Sequence, residues 1–405
     1  MKNKSRTHHD LTKRLIKACG VTLLAFLLSM TLMAPFSTSV SALFSTPEKN
    51  DFTITDFYNI VADSRAVSYL DDNIVIVNID RSDRNEIADI ISVATLAGAR
   101  AIGLDVMFED ERDGDAPLLD AIRQAPVIVQ PLTMKQTAAH DTFAVRSASY
   151  FYTVPGATES DYAAASMPSR YERSMVREMR TFFPTDSGAA VPSFAVALAR
   201  VADPEAAARL EDRGNDLEMI NYHSRRFRTI EPDEILDRAD ELNGRVVLIG
   251  ALSESGDLHQ TPVNSSMPGV MIHAHSLATI LDGGYMSAFP KSANMLIGCI
   301  LCFIIVLTHV SLSVGIKGLI IRIMQVVFVW LAVQIGYWFF IRHGIIIDFS
   351  YSLLMLAFGL FACDIWNGVI AIGTSAVSRI RLSDRAIFHR HPASAETSQN
   401  QSQTK

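Results

Sequence analysis

Residues 74–80 read IVIVNID, a nearly continuous run of apolar and mostly β-branched residues. Such a run is typical of a strand that is covered on both faces. Asp83 follows at the position of a helix cap, with Glu86 three residues later in the spacing of a capping box. A second apolar run, AIGLDVMF at residues 101–108, comes after that helix. The pattern predicts a strand, a crossover helix and a parallel strand, the repeating unit of an open α/β sheet.

The same alternation of strands and helices continues along the chain as far as residue 288. Further strands are predicted at 127–132, 218–222 and 245–252, and further helices at 192–202 and 270–281. Residues 140–188 are dominated by Ser, Tyr, Ala and Thr, which predicts an insertion of strands and long loops. We therefore expect an α/β domain with a mostly parallel sheet and flanking helices.

Four apolar stretches frame this block, and each is long enough to cross a hydrocarbon core of roughly 30 Å. They predict four transmembrane α-helices, one before the block and three after it, at residues 18–36, 293–315, 319–341 and 345–372. The polar block itself spans residues 40–288 and would lie on one side of the membrane.

Basic residues beside the apolar stretches predict which side that is, because Lys and Arg close to a span stay on the cytoplasmic face. They cluster before the first stretch, between the second and third, and after the fourth. We expect a cytoplasmic N-terminus at 1–17, an exported block at 40–288 and a disordered cytoplasmic tail at 373–405. The first stretch also fits a cleaved signal peptide, because Val40, Ser41 and Ala42 form a small-x-small pattern.

Charge and cysteine content bound the partners of the block. Residues 18–290 contain 21 basic and 38 acidic residues, a net charge of about −17. This argues against nucleic acid or anionic lipid as a partner of the block, and it is compatible with a cationic ligand, a metal ion, a basic protein or simple solubility.

All four cysteines fall in the predicted spans, which membrane lipid would surround. Cys299 and Cys302 are interpreted as small packing residues.

Two strand ends carry the first candidate site. Asp80 and Asp105 close predicted neighbouring strands, and Glu109 follows the second of them. Ligands of parallel α/β sheets collect at the carboxyl ends of the strands, so these side chains can hold a ligand or cation. Capping of the helices that follow is the alternative. No nucleophile or Walker, GxSxG, HExxH or GxGxxG motif lies beside them, and we expect no catalytic site, no metal site and no cofactor.

The second candidate site is a turn-rich loop that leads into a helix. Asp257, Thr261 and Gly269 lie in this loop, and the helix after it can present free amide groups to an anion. His273 follows on the apolar stripe of the helix, which favours a core histidine over a pH sensor. His273 and His275 are two residues apart on a helix and cannot chelate one ion together.

Several strings, taken together, resemble the second type of CHASE domain, the cyclases/histidine kinases associated sensory extracellular domain. The resemblance covers roughly residues 50–290. Its strings, in order, are IVIVNID, LAGARAIGLDVMFED, PSFAVALAR, INYHSRRFRTIEPDEIL, GRVVLIGA and GDLHQTPVNSSMPGVMIHAHSLATILDG.

The resemblance implies an exported bacterial sensory domain, usually joined through three spans to a histidine kinase, nucleotide cyclase or protein kinase. Only about 33 residues follow the last predicted span, too few for an output domain. We therefore expect a multi-pass receptor of the bacterial inner membrane, with its large domain periplasmic or extracellular. It would relay an envelope or environmental signal to a separate signalling or envelope protein, and kinase-linked relatives suggest a homodimer. The alternatives are a non-catalytic envelope scaffold of the same fold and, as a third class, an enzyme.

Overall fold

The computed structural model describes residues 11–31, 54–65, 67–137, 142–153, 162–167, 175–254, 256–311 and 317–388. These residues divide into two compact units. The helical unit comprises Met1–Ser39, Pro290–Val333 and Phe349–Lys405, and the α/β unit comprises Val40–Phe289 and Gln334–Asp348. The α/β unit therefore contains the predicted block 40–288, the end of the third apolar helix and the link from this helix to the fourth.

The elements follow one another in the order α1 Leu11–Thr31, α2 Ile54–Arg65, β1 Tyr69–Asn78, α3 Arg84–Leu96, β2 Ala101–Asp105, α4 Asp115–Gln124, β3 Ile128–Gln136, β4 Phe143–Ala148, β5 Tyr162–Ala164, β6 Glu178–Arg180, β7 Phe182–Pro184, β8 Ala190–Pro192, α5 Phe194–Ala202, α6 Pro204–Arg213, β9 Leu217–Met219, β10 Arg225–Ile230, β11 Val246–Gly250, β12 Leu258–His259, β13 Met267–Pro268, α7 Gly269–Asp282, β14 Ser287–Ala288, α8 Lys291–Ser311, α9 Lys317–His343, β15 Ile345–Ile346 and α10 Ser350–Phe388.

The main sheet has the strand order β10-β1-β11-β2-β3-β4, with β5 paired to β3. All of its pairs are parallel except β3 with β4, so the predicted α/β fold with a mostly parallel sheet is confirmed. Helices α3 and α4 pack on one face through apolar residues of β1, β2 and β11, and α5, α6 and α7 pack on the other. Coverage of both faces explains why β1 and β11 are almost uninterrupted apolar runs.

One strand pairing differs from the prediction that Asp80 and Asp105 end neighbouring strands. Strand β11 lies between β1 and β2, with Asn78 beside Gly250 and Gly250 beside Asp105. Two strand spacings, roughly 10 Å, therefore separate the ends of β1 and β2. The sequence order of strands does not fix their order in a sheet, and a strand from late in the chain has been inserted here.

The predicted cap of α3 is confirmed in detail. The Asp83 side chain accepts hydrogen bonds from the backbone N–H groups of Asn85 and Glu86. The helix ends just before Gly98, whose φ of +81° is a conformation that glycine adopts most readily. The local sequence thus determines both ends of the first crossover helix.

The predicted insertion at 140–188 contains short strands that extend the edge of the sheet and form separate pairs. Strand β4 is antiparallel to β3, and the pairs β6–β9 and β7–β8 form two small antiparallel sheets. Residues 138–141, 154–161 and 168–174 of this region lie outside the described part. Helices α2 and α6 and edge strand β10 had no counterpart in the sequence prediction.

The helical unit holds most of the four helices that are long and apolar enough to cross a membrane. Helix α1 shares a buried cluster with α8 and α10, formed by Ala18, Val21, Ala25, Cys302, Val306, Met355, Ala362 and Cys363. Small residues of this kind let membrane helices approach closely. The packing interpretation of Cys302 agrees with this cluster.

The predicted spans differ from the helices at several ends. Helix α1 begins at Leu11 rather than at 18, and residues 32–36 and 312–315 lie outside the described part. Helix α10 begins at Ser350 because Gly344, with φ of +62°, and β15 interrupt the chain before it. It then continues to Phe388, where a disordered tail from 373 was predicted. Arg, Ala and Leu in this stretch are strong helix formers, and no Pro follows before Pro392. Residues 389–405 are not described.

Candidate functional site

The carboxyl ends of β11 and β2 form the candidate site, on the face of the sheet that α5 and α7 cover. We call Asp105, Asp257, His259 and His273, with Gly250 beneath them, the strand-end cluster. From β1 the chain continues to β2 and β3 on one side of the sheet, and it later returns to form β10 on the other side of β1. The carboxyl ends of the central strands are therefore a switch point of the topology. Ligands of open α/β sheets bind at such points.

Asp105 is the last residue of β2 and is partly buried. It lies beside Gly250, where an added Cβ would come within 2.8 Å of Val270 on α7 and within 3.4 Å of the Asp105 Cβ. Its carboxyl group has no hydrogen-bond partner among the described residues. Desolvation, together with the negative charges of Asp257 and Glu254 and against the opposing effect of His259, raises the pKa of Asp105 to about 7.

Asp257 binds the start of α7. The backbone N–H of Gly269 donates to the Asp257 main-chain oxygen at 3.0 Å and lies 3.1 Å from its Oδ2. An added Cβ at Gly269 would lie 2.3 Å from Oδ2, so the close approach requires glycine. His259 Nε2 lies 3.1 Å from the other carboxylate oxygen, Oδ1. The place that the sequence suggested for an external anion is therefore taken by Asp257 itself.

His273 lies one turn further along α7 and is 7% exposed. Its ring packs against Phe194 of α5, with 5.0 Å between ring centroids. Desolvation lowers the pKa of His273 to about 4, with the Asp257 charge opposing this and His259 adding to it. The core-histidine interpretation agrees with this burial. His275 packs elsewhere, between Tyr222 and Phe227, with ring-centroid distances of 5.1 and 4.9 Å.

Comparison of the sequence with models of known protein families identifies the family of the domain that contains this site. The family model of the CHASE2 domain matches residues 27–310, well over half of the chain. The chain belongs to the CHASE2 domain family. Comparison with curated proteins and with solved structures finds no match. Family membership and the four apolar helices together describe a membrane protein with a sensory domain, and the predicted resemblance to the type 2 CHASE domain is confirmed.

The CHASE2 domain brings only some of the predicted site residues together. Asp105, Asp257, Gly269 and His273 meet in the strand-end cluster, whereas Glu109 is exposed in the loop after β2. The Thr261 hydroxyl closes a turn with the backbone of Asn264 at 3.0 and 3.1 Å. Within the described ranges, no group of three or more His, Cys, Asp or Glu side chains is arranged to hold a metal ion.

Asp80 has a local structural role in the CHASE2 domain. Its Oδ1 accepts from the backbone N–H groups of Leu252 and Ser253 at 2.9 and 2.8 Å, and its Oδ2 accepts from the Ser253 hydroxyl at 2.6 Å. Burial alone would raise the pKa of Asp80, but the hydrogen bonds with Ser253, Asn78 and Leu252 lower it below its usual value. Asp80 therefore fixes the chain as it leaves β11.

Sequence reasoning missed three contributors to the strand-end cluster. Gly250 ends a strand, and its closeness to Val270 becomes visible only when α7 is placed over the sheet. Phe194 and His259 lie in sequence far from Asp105, and neither belongs to a motif of known spacing. Their proximity comes from the sheet order, which no local pattern encodes.

A second feature of the CHASE2 domain is the contact between α2 and the segment Gln334–Asp348. We call Asp56, Tyr58, Arg177, Phe340 and Ile347 the α2 junction. The Tyr58 ring stacks on Phe340 with 5.5 Å between centroids, and its hydroxyl donates to the Ile347 oxygen at 3.3 Å. The two carboxylate oxygens of Asp56 accept hydrogen bonds from Nε and Nη2 of Arg177, each at 2.8 Å. Strand β14 also pairs with β15 in this segment.

Proposed function

We propose that the chain is a multi-pass receptor of the bacterial inner membrane. Its CHASE2 domain would lie outside the cytoplasm, detect an envelope or environmental signal and relay it through the apolar helices to a separate partner protein. Family membership supports the sensory role. The basic residues beside the apolar helices support an orientation with both ends in the cytoplasm.

The observation that carries the proposal is the α2 junction. Helix α2 follows α1 along the chain, and Tyr58 of α2 contacts both the last turn of α9 and the link from α9 to α10. Residues 334–343 of α9 belong to the α/β unit, whereas its earlier residues belong to the helical unit. A rearrangement of the domain that displaces α2 therefore acts directly on α9 and on the start of α10.

The core of this contact is well packed. Tyr58 and Phe340 are each 2% exposed, and they share a cluster with Ala62, Met286 and Ile346. Well-packed interfaces of this kind tend to switch between discrete arrangements rather than deform continuously. A ligand that binds one arrangement of the domain more tightly would shift the population of α9 and α10 positions.

The proposed relay is tested by photo-crosslinking in intact membranes. A photoreactive amino acid at Val369 or Ile372, which are 63% and 73% exposed on α10, is expected to capture a signalling protein. Phe340→Ala removes the Tyr58 stack and should change the yield of that crosslink at least twofold. Trp338→Ala is the matched control, because Trp338 is an aromatic residue of the same helix that is 54% exposed.

An unchanged yield in Phe340→Ala would remove the α2 junction from the relay. Failure to capture any signalling protein from either position would contradict the proposed function as a whole. Mass spectrometry of the captured protein distinguishes a signalling partner from an envelope scaffold component.

A further inference from the structure

The strand-end cluster contains two polar groups that the described protein does not satisfy. The Asp105 carboxyl has no hydrogen-bond partner among the described residues, although Asp105 lies beside Gly250 of β11, which packs against Val270 of α7. The ring nitrogens of His273 likewise have no hydrogen-bond partner there, and this residue is only 7% exposed. His273 lies one helical turn after Gly269, whose N–H binds Asp257, so it lies on the same face of α7 as this contact. The unpaired atoms of Asp105 and His273 are not sealed from solvent, so a ligand at the carboxyl ends of the strands can reach both groups.

An anionic ligand does not fit this cluster. The Gly269 N–H at the start of α7 already donates to Asp257. The carboxylates of Asp257 and Glu254 lie close enough to Asp105 for their charges to act on it. A further negative charge would be repelled by all of them.

A divalent metal also fits poorly. Calcium commonly takes six to eight oxygen ligands, and magnesium requires near-octahedral coordination. The part of the chain that the structure describes contains no group of three His, Cys, Asp or Glu side chains placed for one ion. Asp257 is moreover engaged by Gly269 and His259.

A cationic N–H donor matches the groups that remain. A carboxylate only accepts hydrogen bonds, so the free oxygens of Asp105 require a donor. The neutral His273 imidazole can accept a second hydrogen bond, and the Phe194 ring beside it offers an apolar wall. We propose that the strand-end cluster binds a small ligand through a protonated amine that donates to the Asp105 carboxylate. This inference rests on the proposed sensory function and gives that function a ligand class.

Binding of this kind has a defined pH dependence. The pKa of Asp105 is about 7, and the charged groups that act on it are Asp257, His259 and Glu254 of the loop after β11, while His273 of α7 interacts with Asp257 and His259. A carboxyl with that pKa is about one-tenth ionised at pH 6 and about nine-tenths ionised at pH 8, while an alkylamine stays protonated throughout. Amine affinity is therefore expected to rise about tenfold between pH 6 and pH 8.

The experiment is isothermal titration calorimetry on the full chain in lipid nanodiscs at both pH values. Putrescine is the probe, with 1,4-butanediol as its uncharged counterpart, succinate as the anionic counterpart and Mg²⁺ as the metal. We expect binding of putrescine alone, at least tenfold weaker in Asp105→Asn and unchanged in Asp89→Asn. Asp89 is an exposed carboxylate of α3, on the other face of the sheet, so it matches the change in charge.

The amine proposal would be overturned if Asp105→Asn bound putrescine as tightly as the wild type does, or if the wild type did not bind putrescine. Binding of succinate, butanediol or Mg²⁺ that requires Asp105 would overturn the ligand class while leaving the sensory function intact. The photo-crosslinking response to Phe340→Ala needs no added ligand, so failure of the relay is detected separately.

Discussion

Asp105→Asn is expected to increase the free energy of unfolding of the α/β unit at pH 8 by roughly 2–4 kcal/mol. The carboxyl pKa is 3.8 as a reference value and about 7 in the folded domain. The unfolded state therefore loses this proton at lower pH than the folded state, and stability falls as pH rises from about 4 to about 7. An amide cannot ionise, so the variant avoids that loss. The expected gain follows from about 1.4 kcal/mol per pKa unit, reduced because Asp105 is only partly buried.

Hydrogen exchange of peptides from β2 and β11, corrected for the pH dependence of the exchange chemistry, measures this effect in the full chain. This readout reports on β2 and β11 themselves, whereas the three tryptophans, Trp330, Trp338 and Trp366, lie in α9 and α10. The increase in the free energy of unfolding caused by Asp105→Asn should shrink towards zero at pH 4. Asp89→Asn should show neither this increase at pH 8 nor its dependence on pH. Equal stability of Asp105→Asn and wild type at pH 8 would contradict the raised pKa. A carboxylate kept at a cost in stability is a mark of a binding or catalytic site.

Asp56→Asn is expected to lower the free energy of unfolding of the α/β unit by about 3–5 kcal/mol. Asp56 is fully buried on α2, and its two oxygens each accept from Arg177 at 2.8 Å. Without the carboxylate, the Arg177 guanidinium, 15% exposed, loses the charge pairing that it makes with Asp56 through Nε and Nη2. The same change should release α2 and increase hydrogen exchange across the α2 junction.

The matched control is Asp72→Asn. Asp72 pairs with Arg228 at 3.1 Å but is 81% exposed, and such surface pairs typically contribute under about 1 kcal/mol. Urea-dependent hydrogen exchange of the full chain in detergent compares the two variants. If the free energy of unfolding fell by similar amounts in Asp56→Asn and Asp72→Asn, the Asp56–Arg177 pair would not be the contact that holds α2 in place.

The parts of the fold that were predictable are those with a strong local pattern. Strands β1, β2, β3 and β11 are buried on both faces and so consist of apolar, mostly β-branched runs. Strand β10 was missed because its sequence, RRFRTI, reads as a charged loop. In the fold Arg225 pairs with Asp71 and Asp282, and Arg228 pairs with Asp72, so the charges of this edge strand are balanced by tertiary contacts.

The candidate site was predictable only one residue at a time. Asp105 and Asp257 could be identified from their places at a strand end and before a helix, but nothing local indicates that they face each other. Asp80 has the same sequence context as Asp105, yet its oxygens are taken by Leu252 and Ser253. The difference arises from the insertion of β11 between β1 and β2, which puts the exit of β11 against Asp80.

The junction between the domain and α9 could not be predicted because its two halves are almost 300 residues apart. Tyr58 lies in a helix with no strong apolar pattern, and Phe340 lies near the end of an apolar stretch that reads as membrane-spanning throughout. The pairing of β14 with β15, the stacking of the two rings and the hydrogen bond from Tyr58 to Ile347 all join residues 334–348 to the α/β unit.

The proposed location of the CHASE2 domain outside the cytoplasm is tested most directly by the accessibility of single cysteines. All four native cysteines lie in α1, α8 and α10 and are replaced by serine or alanine. Ala189→Cys then places a thiol at an exposed turn between β7 and β8, and Ser398→Cys places one in the C-terminal tail. In intact spheroplasts a membrane-impermeant maleimide should label the first thiol, and it should label the second only after lysis. Labelling of Ser398→Cys in intact spheroplasts, with Ala189→Cys labelled only after lysis, would contradict the receptor account.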